Sequence, residues 1–292
     1  MPEVDEEDRV AESPTVRRRH VGAELRRLRE SAGRDRESAA ELLDCSLSKI
    51  TKIELGNVAV KKAELEKLLD FYAAPADLSA SLLVIAAEAK KRGWWSKYGK
   101  AVPDWFRTFV GLESAASEMR VYEAELITGV LQTEAYTRAV IAAVSPELDD
   151  DQVARLVRVR AERQARLLGG DPQRLNLIMS EAAVRRMVGG PAVMREQLTF
   201  LAEVQRRPNV TIQVLPLRSG AHAAIGFTFT MLRFPDEPAP TLVYLEDLTS
   251  AVYLDEAADL DVYKLAFDRL QALALGPAES VALMERVVSE FE

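Results

Sequence analysis

Val21, Leu25, Leu28 and Ala32 stand three and four residues apart, the spacing that lines up side chains on one face of an α-helix. Arginines fill the other faces and Gly33 supplies a stop, so the spacing predicts an amphipathic first helix after the turn-forming pair Ser13-Pro14. A second, short helix is predicted from about Arg36 to Leu43. Asp35 is its N-cap, and the small Ala39 and Ala40 face inward, permitting close approach of a crossing helix. The turn Asp44-Cys45-Ser46 leads to a third helix, Leu47 to Glu54, capped by Ser46. Ile50 and Ile53 face its core, while Leu47, Ser48, Lys49, Thr51 and Lys52 face outward. Gly56-Asn57 ends it. Leu65, Leu68, Leu69 and Tyr72 then mark a fourth helix, and Leu78, Leu82, Leu83 and Ile85 a fifth. Five short helices within about seventy residues predict a compact all-α bundle.

The pattern changes after Lys90-Lys91. Gly93-Trp94-Trp95-Ser96-Lys97-Tyr98-Gly99 is followed by Pro103-Asp104-Trp105-Phe106, which opens a helix predicted to run through Glu113 and Met119. Asp151 to Leu168 reads as a helix with Val153, Leu156, Val157, Ala161 and Leu168 on one face and Arg155, Arg158, Arg163 and Arg166 on the others. That basic face is either a salt-bridged solvent face, the preferred reading, or a second nucleic-acid surface. Leu175 to Met179 reads as a strand, Glu181 to Val188 as a helix, and Pro191 to Arg206 as a longer helix with Met194, Leu198, Leu201 and Val204 inward. The period then falls to two. Val210, Ile212 and Val214, then Phe227, Phe229 and Met231, alternate with polar residues as half-buried antiparallel strands do. Leu242 to Leu245 and Ala251 to Leu254 add a hairpin around Asp247 to Ser250, and helices near Glu256 to Ala274 and Pro277 to Phe291 close the chain. The prediction is a multidomain protein with an acidic disordered tail (1–14), a helical bundle (15–90) and an α+β domain (91–292). The α+β domain would hold an antiparallel or mixed sheet of about four or five strands.

Charge sharpens this division. The chain of 292 residues carries a formal net charge of −8, yet Thr15 to Lys62 holds twelve Lys and Arg against seven Asp and Glu. That local balance of +5 leaves −13 for the remainder. A small basic unit joined to an acidic domain is the asymmetry expected of a DNA-contacting module attached to one that contacts something else. The single cysteine, Cys45, excludes an internal disulfide framework, and with only His20 and His222 no zinc constellation assembles. No apolar run approaches the ~20 residues that cross a bilayer, and the acidic N-terminus lacks the features of a signal peptide, so a cytoplasmic protein without a membrane partner is expected.

Leu25-Arg26-Arg27-Leu28-Arg29-Glu30, then Arg36 to Leu43, then Ser46-Leu47-Ser48-Lys49-Ile50-Thr51-Lys52-Ile53-Glu54-Leu55-Gly56 resembles the Cro and phage-repressor type helix-turn-helix of the xenobiotic-response-element family. The Ile-x-x-Ile-Glu-x-Gly ending is its most specific part. The resemblance implies that the helix beginning near Ser46 is the recognition helix on double-stranded DNA. Leu47, Ser48 and Lys52 would approach base edges, Arg36, Lys49, Asn57 and Lys61 would approach phosphates, and Ser46 and Thr51 would complete the face. It also implies an internal ion pair between Arg29 and Glu54. Arg36 stands where the family usually has an amide and Asp44 where it usually has glycine. Asp adopts the left-handed turn conformation better than most non-glycine residues, and Leu47 suits a thymine methyl better than a bidentate hydrogen bond.

The second half carries a resemblance too. Its residues are Leu112-Glu113-x-x-Ala116, Tyr122-Glu123, Gly129-Val130-Leu131-Gln132-Thr133-x-x-Tyr136, Arg160-x-x-Arg163-Gln164, Ser180-Glu181, Val188-Gly189-Gly190, Gln197-Leu198, Val214-Leu215-Pro216 and Gly220-x-His222. Together they are similar to the large C-terminal domain of WhiJ-like, antitoxin-like regulators of filamentous actinomycetes. Ile127-Thr128 departs from the usual Val-Pro. The resemblance implies a transcription factor of development or specialised metabolism, often accompanied by a small partner protein. Candidate partner or ligand residues are Trp94, Trp95, Trp105, Glu113, Tyr122, Gln132, Tyr136, Glu181 and His222. For the tryptophans, packing at a domain junction is the preferred alternative. Glu113, Glu123, Glu181 and His222 offer acid–base groups, but no phosphate loop, nucleophile elbow, dinucleotide fingerprint or metal spacing accompanies them. A non-enzymatic, cofactor-free and homodimeric regulator is expected, a repressor or an activator. The rival reading is an antitoxin-like module that sequesters a small partner, and a small-molecule effector is a third.

Overall fold

A computed structural model describes residues 13–90, 93–169, 173–235 and 241–291, without the side chains of Lys100, Ala101, Asp104 and Trp105. The acidic stretch 1–12 therefore lies outside the described residues, but Ser13 and Pro14, assigned above to the tail, do not belong to one. Both are buried, Pro14 opens the first helix, and the Ser13 hydroxyl donates to the Gly111 carbonyl at 2.8 Å. The chain divides into two compact units, one reaching to Gly99 and joined by Arg107–Ala115, the other made of Lys100–Phe106 and the chain from Ala116 onward.

The first unit is built from α1 (Pro14–Ser31), α2 (Arg36–Leu42), α3 (Leu47–Glu54), α4 (Lys62–Phe71) and α5 (Ala76–Glu88). Val21, Leu25, Leu28, Ala39, Ala40, Ile50, Ile53, Leu65, Leu68, Leu69, Tyr72 and Leu82 form one core, as their spacing predicts. The caps follow the sequence as well. Asp35 accepts from the Ser38 amide at 2.8 Å and Ser46 from the Lys49 amide at 3.3 Å. Asp44 takes the left-handed turn conformation at φ 48°. A helix α6 (Asp104–Glu113) follows a 3-10 segment, Trp94–Ala101. It stops before Met119, contrary to the sequence reading, because Glu118–Glu123 alternates buried and half-buried positions as a strand.

The described residues of the second unit form six strands: β1 (Glu118–Glu123), β2 (Arg174–Ser180), β3 (Val210–Leu215), β4 (Phe229–Arg233), β5 (Thr241–Glu246) and β6 (Ala251–Leu254). Their order is β3-β2-β1-β4-β5-β6. The sheet is mixed and larger than the four or five strands expected. β1, β2 and β3 run parallel, with Val121 beside Leu177 and Leu177 beside Ile212, while β4, β5 and β6 are antiparallel neighbours. β3 is thus not the antiparallel strand inferred from its alternation. Both of its faces are buried except at Thr211, as a parallel strand covered on two sides requires. Phe227, assigned to β4 above, is exposed and lies before that strand begins.

Helices α7 (Glu134–Val144), α8 (Asp150–Leu168), α9 (Glu181–Arg185), α10 (Pro191–Val204), α11 (Ala257–Leu273) and α12 (Pro277–Ser289) complete the unit. α9 is shorter than the Glu181 to Val188 expected, since Arg186 turns extended at φ −62°, ψ 119°. Phe267 and Leu270 of α11 pack with Tyr122, Ile178, Phe229 and Val243 of the sheet. The hairpin between β5 and β6 forms at Asp247 to Ser250 as predicted, closed by the Asp247 amide on the Ser250 carbonyl at 2.9 Å.

Gly22 of α1 is where the bundle is tightest. A Cβ there would stand 2.5 Å from the Glu54 carbonyl oxygen and closer still to that of Ile53. Gly22→Ala is therefore expected to force α1 off the end of α3 and to destabilise the first unit by about 1–3 kcal/mol, read as a lowered urea midpoint. An unchanged midpoint would contradict the close approach.

Candidate nucleic-acid interface

α2 and α3, joined by the Asp44 turn, form a helix-turn-helix whose internal face is fastened by one carboxylate. Arg29 of α1 meets Glu54 of α3 through two hydrogen bonds, Nε to Oε1 at 2.6 Å and Nη2 to Oε2 at 3.2 Å. Both side chains are buried. Arg36 of α2 donates from Nε to the same Oε2 at 2.8 Å, and Arg29 Nη1 caps the Arg34 carbonyl at 3.0 Å. The bond to Glu54 raises the Arg29 pKa, and the nearby Tyr72 hydroxyl is pushed up to about 12 by burial and by the Glu54 charge. The bidentate pair supplies hydrogen-bond partners to both buried groups.

The outward face of α3 presents Leu47, 44% exposed, with Ser48 and Lys52 fully at the surface; Asn57 and Lys61 are exposed beyond its end. Ser46 is engaged as the cap, and the Thr51 hydroxyl donates back to the Leu47 carbonyl at 3.2 Å. Two basic residues assigned to phosphates have internal partners. Arg36 shares Glu54, and Lys49 Nζ lies 2.7 Å from Glu64 Oε1 of α4, whose other oxygen accepts the Lys61 amide at 3.3 Å. The Glu64 hydrogen bond raises the Lys49 pKa. The sequence reading missed Glu64, for which position three of the helix after Lys61 was the available signal.

In the second unit the residues of the Gly129-to-Tyr136 motif do converge, but on one another. The Gln132 side chain donates to the Ile127 carbonyl at 2.7 Å and accepts from Thr137 at 3.2 Å and from Arg160. Tyr136 is buried, its hydroxyl accepting from the Ile127 amide at 3.3 Å. Gln164 donates to the Val130 and Gln132 carbonyls, while buried Gln197 binds the Leu131 carbonyl and the Thr133 amide, each at 2.7 Å. Gln132 and Tyr136 therefore hold the turn of residues 127–133. Glu181 is likewise engaged, with Arg185 at 2.7 Å and the Leu217 amide at 3.0 Å. Tyr122 is buried against Phe229, its hydroxyl 3.3 Å from His222 Nε2; burial lowers the His222 pKa. Arg163, placed on an outer face of α8 by its spacing, is instead buried with its guanidinium 5.1 Å from the centre of the Phe106 ring.

In the first unit Trp95 is buried and Trp94 half-buried, their rings edge to face at 5.9 Å, and Trp94 Nε1 donates to Ser114 at 3.0 Å. Glu113 is buried; the Trp105 side chain lies outside the described residues. No group of metal-ligating side chains occurs among the described residues, and none of their helices is long and apolar enough to cross a membrane.

A small capped bundle with an outward third helix, joined to a larger mixed-sheet unit, defines a helix-turn-helix regulator. Residues 20–82 match a helix-turn-helix domain family, which marks this unit as DNA-binding. Residues 106–286, more than half the chain, match the family described as a domain of unknown function, DUF5753, and the chain belongs to that family. No curated protein and no solved structure matches the chain.

Two outcomes follow from these contacts. Arg29→Ala leaves Glu54 buried with a single partner and is expected to cost about 3–5 kcal/mol of stability by urea denaturation; a loss near zero would contradict the pair's structural role. Glu123, at the end of β1, has its pKa raised to about 8 by burial and by the Glu246 charge. A carboxyl whose pKa is raised on folding favours the folded state fully below its unfolded pKa and loses that contribution as pH rises towards about 8. Glu123→Gln should therefore raise the thermal midpoint relative to wild type at pH 9 and leave little difference at pH 4; a pH-independent difference would contradict it.

Proposed function

We propose that the chain is a sequence-specific transcriptional regulator that binds double-stranded DNA as a homodimer, with two copies of α3 entering successive major-groove segments about 34 Å apart. The observation that carries this reading is the outward face of α3, where Leu47, Ser48 and Lys52 stand unburied on a helix locked from behind by Glu54. Lys52 reaches base edges with Leu47 and Ser48, and Asn57 and Lys61 supply phosphate contacts. Arg36 and Lys49 contribute only by sharing or leaving Glu54 and Glu64. The resemblance to xenobiotic-response-element and WhiJ-like regulators supports this reading and points to control of development or specialised metabolism, most simply as a repressor. The same likeness supports a small partner protein or effector at the second unit, and the exposed Leu217, Ile225 and Phe227 favour a protein. The chain acts without catalysis or cofactor, Glu181 and His222 being committed to Arg185 and Tyr122.

Sequencing of genomic fragments captured by the purified chain near physiological salt tests this. A few repeat-containing promoters should be enriched. On such a fragment, Lys61→Ala should weaken binding across sequences and lower the salt slope by about one. No enrichment, together with a tightly co-purifying partner, would favour the antitoxin-like reading instead.

A further inference from the structure

Helix α11 carries a second apolar stripe on the side away from the sheet. Phe267 and Leu270 are buried beneath it, but Ala258, Val262, Leu265, Arg269 and Ala272 are exposed, with Val262 at 64% and Leu265 at 50%. Their separations of four, three, four and three residues keep one seam along a helix, the spacing by which two helices interlock. Leu273 widens the stripe beside an open hollow of about 520 Å³ lined by Ala221, His222, Ala223 and Arg269. The charges beside this seam are unspent. Asp261, Lys264 and Arg269 make no ion pair among the described residues, whereas the exposed faces of α7, α8 and α9 carry the pairs Arg138–Glu134, Arg166–Glu162 and Arg185–Glu181. Of the charged residues from Asp261 to Arg269, Asp268 alone has an ion pair among the described residues, with Arg120 at 3.5 Å.

We infer that this face of α11 is the homodimer interface, pairing antiparallel with α11 of a second copy about a two-fold axis at Leu265. That register is self-complementary, as an isologous contact requires. Leu265 meets Leu265 of the second copy, Ala258 lies opposite Ala272, and Asp261 lies opposite Arg269. The alanines let the helices approach at both ends, the Arg269 stem adds apolar cover while its charge reaches the rim, and Val262 packs beside the central leucines. A parallel pairing would instead set Asp261 against Asp261 and Arg269 against Arg269, a repulsion that selects against it. The inference rests on the homodimeric reading above and assigns it a surface.

Sedimentation equilibrium of the full chain provides the test. Wild type should be a dimer, and Leu265→Asp, at an exposed position, should be monomeric with an unchanged circular-dichroism spectrum and a thermal midpoint that no longer depends on protein concentration. Asp261→Arg and Arg269→Asp should each weaken the dimer about tenfold, and the double exchange should recover most of the loss. A wild-type dimer that Leu265→Asp leaves intact, or a double exchange no better than the singles, overturns the interface and leaves the homodimer standing. A wild-type monomer at every concentration overturns both. Should Leu265→Asp fail to fold, the charge exchange decides alone.

Discussion

One buried carboxylate organises the DNA-binding unit. Glu54, near the end of α3, receives Arg29 from α1 and Arg36 from α2, so three helices meet on two oxygens. A charge held in the interior is tolerated only when its hydrogen-bonding capacity is filled, and a shift of any of the three helices would leave it unfilled. The pair therefore fixes the angle at which α3 leaves the bundle. Gly22 acts at the same place by allowing α1 to lie against the carbonyls of Ile53 and Glu54. The outward residues of α3 owe their exposure to what is held behind them.

The second unit meets an analogous demand with neutral groups. The turn of residues 127–133 passes under α8 and α10 with backbone groups that helix or strand cannot satisfy, and Gln132, Gln164, Gln197 and Tyr136 satisfy them from the side. The large exposed apolar side chains of this unit lie elsewhere, at Leu217, Ile225 and Phe227 and on the outer face of α11.

Local chemistry was legible in the sequence and long-range chemistry was not. The helices of the first unit, the Asp35 and Ser46 caps and the left-handed Asp44 turn follow from apolar period and side-chain reach. The Arg29–Glu54 pair required the family resemblance, since its members are 25 residues apart. β1 was missed because Met119 and Val121 are too few to declare a period of two after a helical run. The direction of β3 escaped because alternation does not encode whether a neighbour runs parallel or antiparallel. Arg163 was misplaced because a helical wheel ranks arginine as solvent-facing, whereas the Phe106 ring offers it a buried seat. Lys49 looked available because Glu64, though marked by its place in the first turn of α4, stands 15 residues away.

The most direct test of the account is methylation interference with dimethyl sulfate on a DNA fragment that the chain retains, because one reagent marks guanine N7 in the major groove and adenine N3 in the minor groove. Interference is expected at guanine N7 in two clusters separated by about one helical turn, with none at adenine N3. Interference confined to adenine N3 would place the chain in the minor groove and contradict α3 as the reading element.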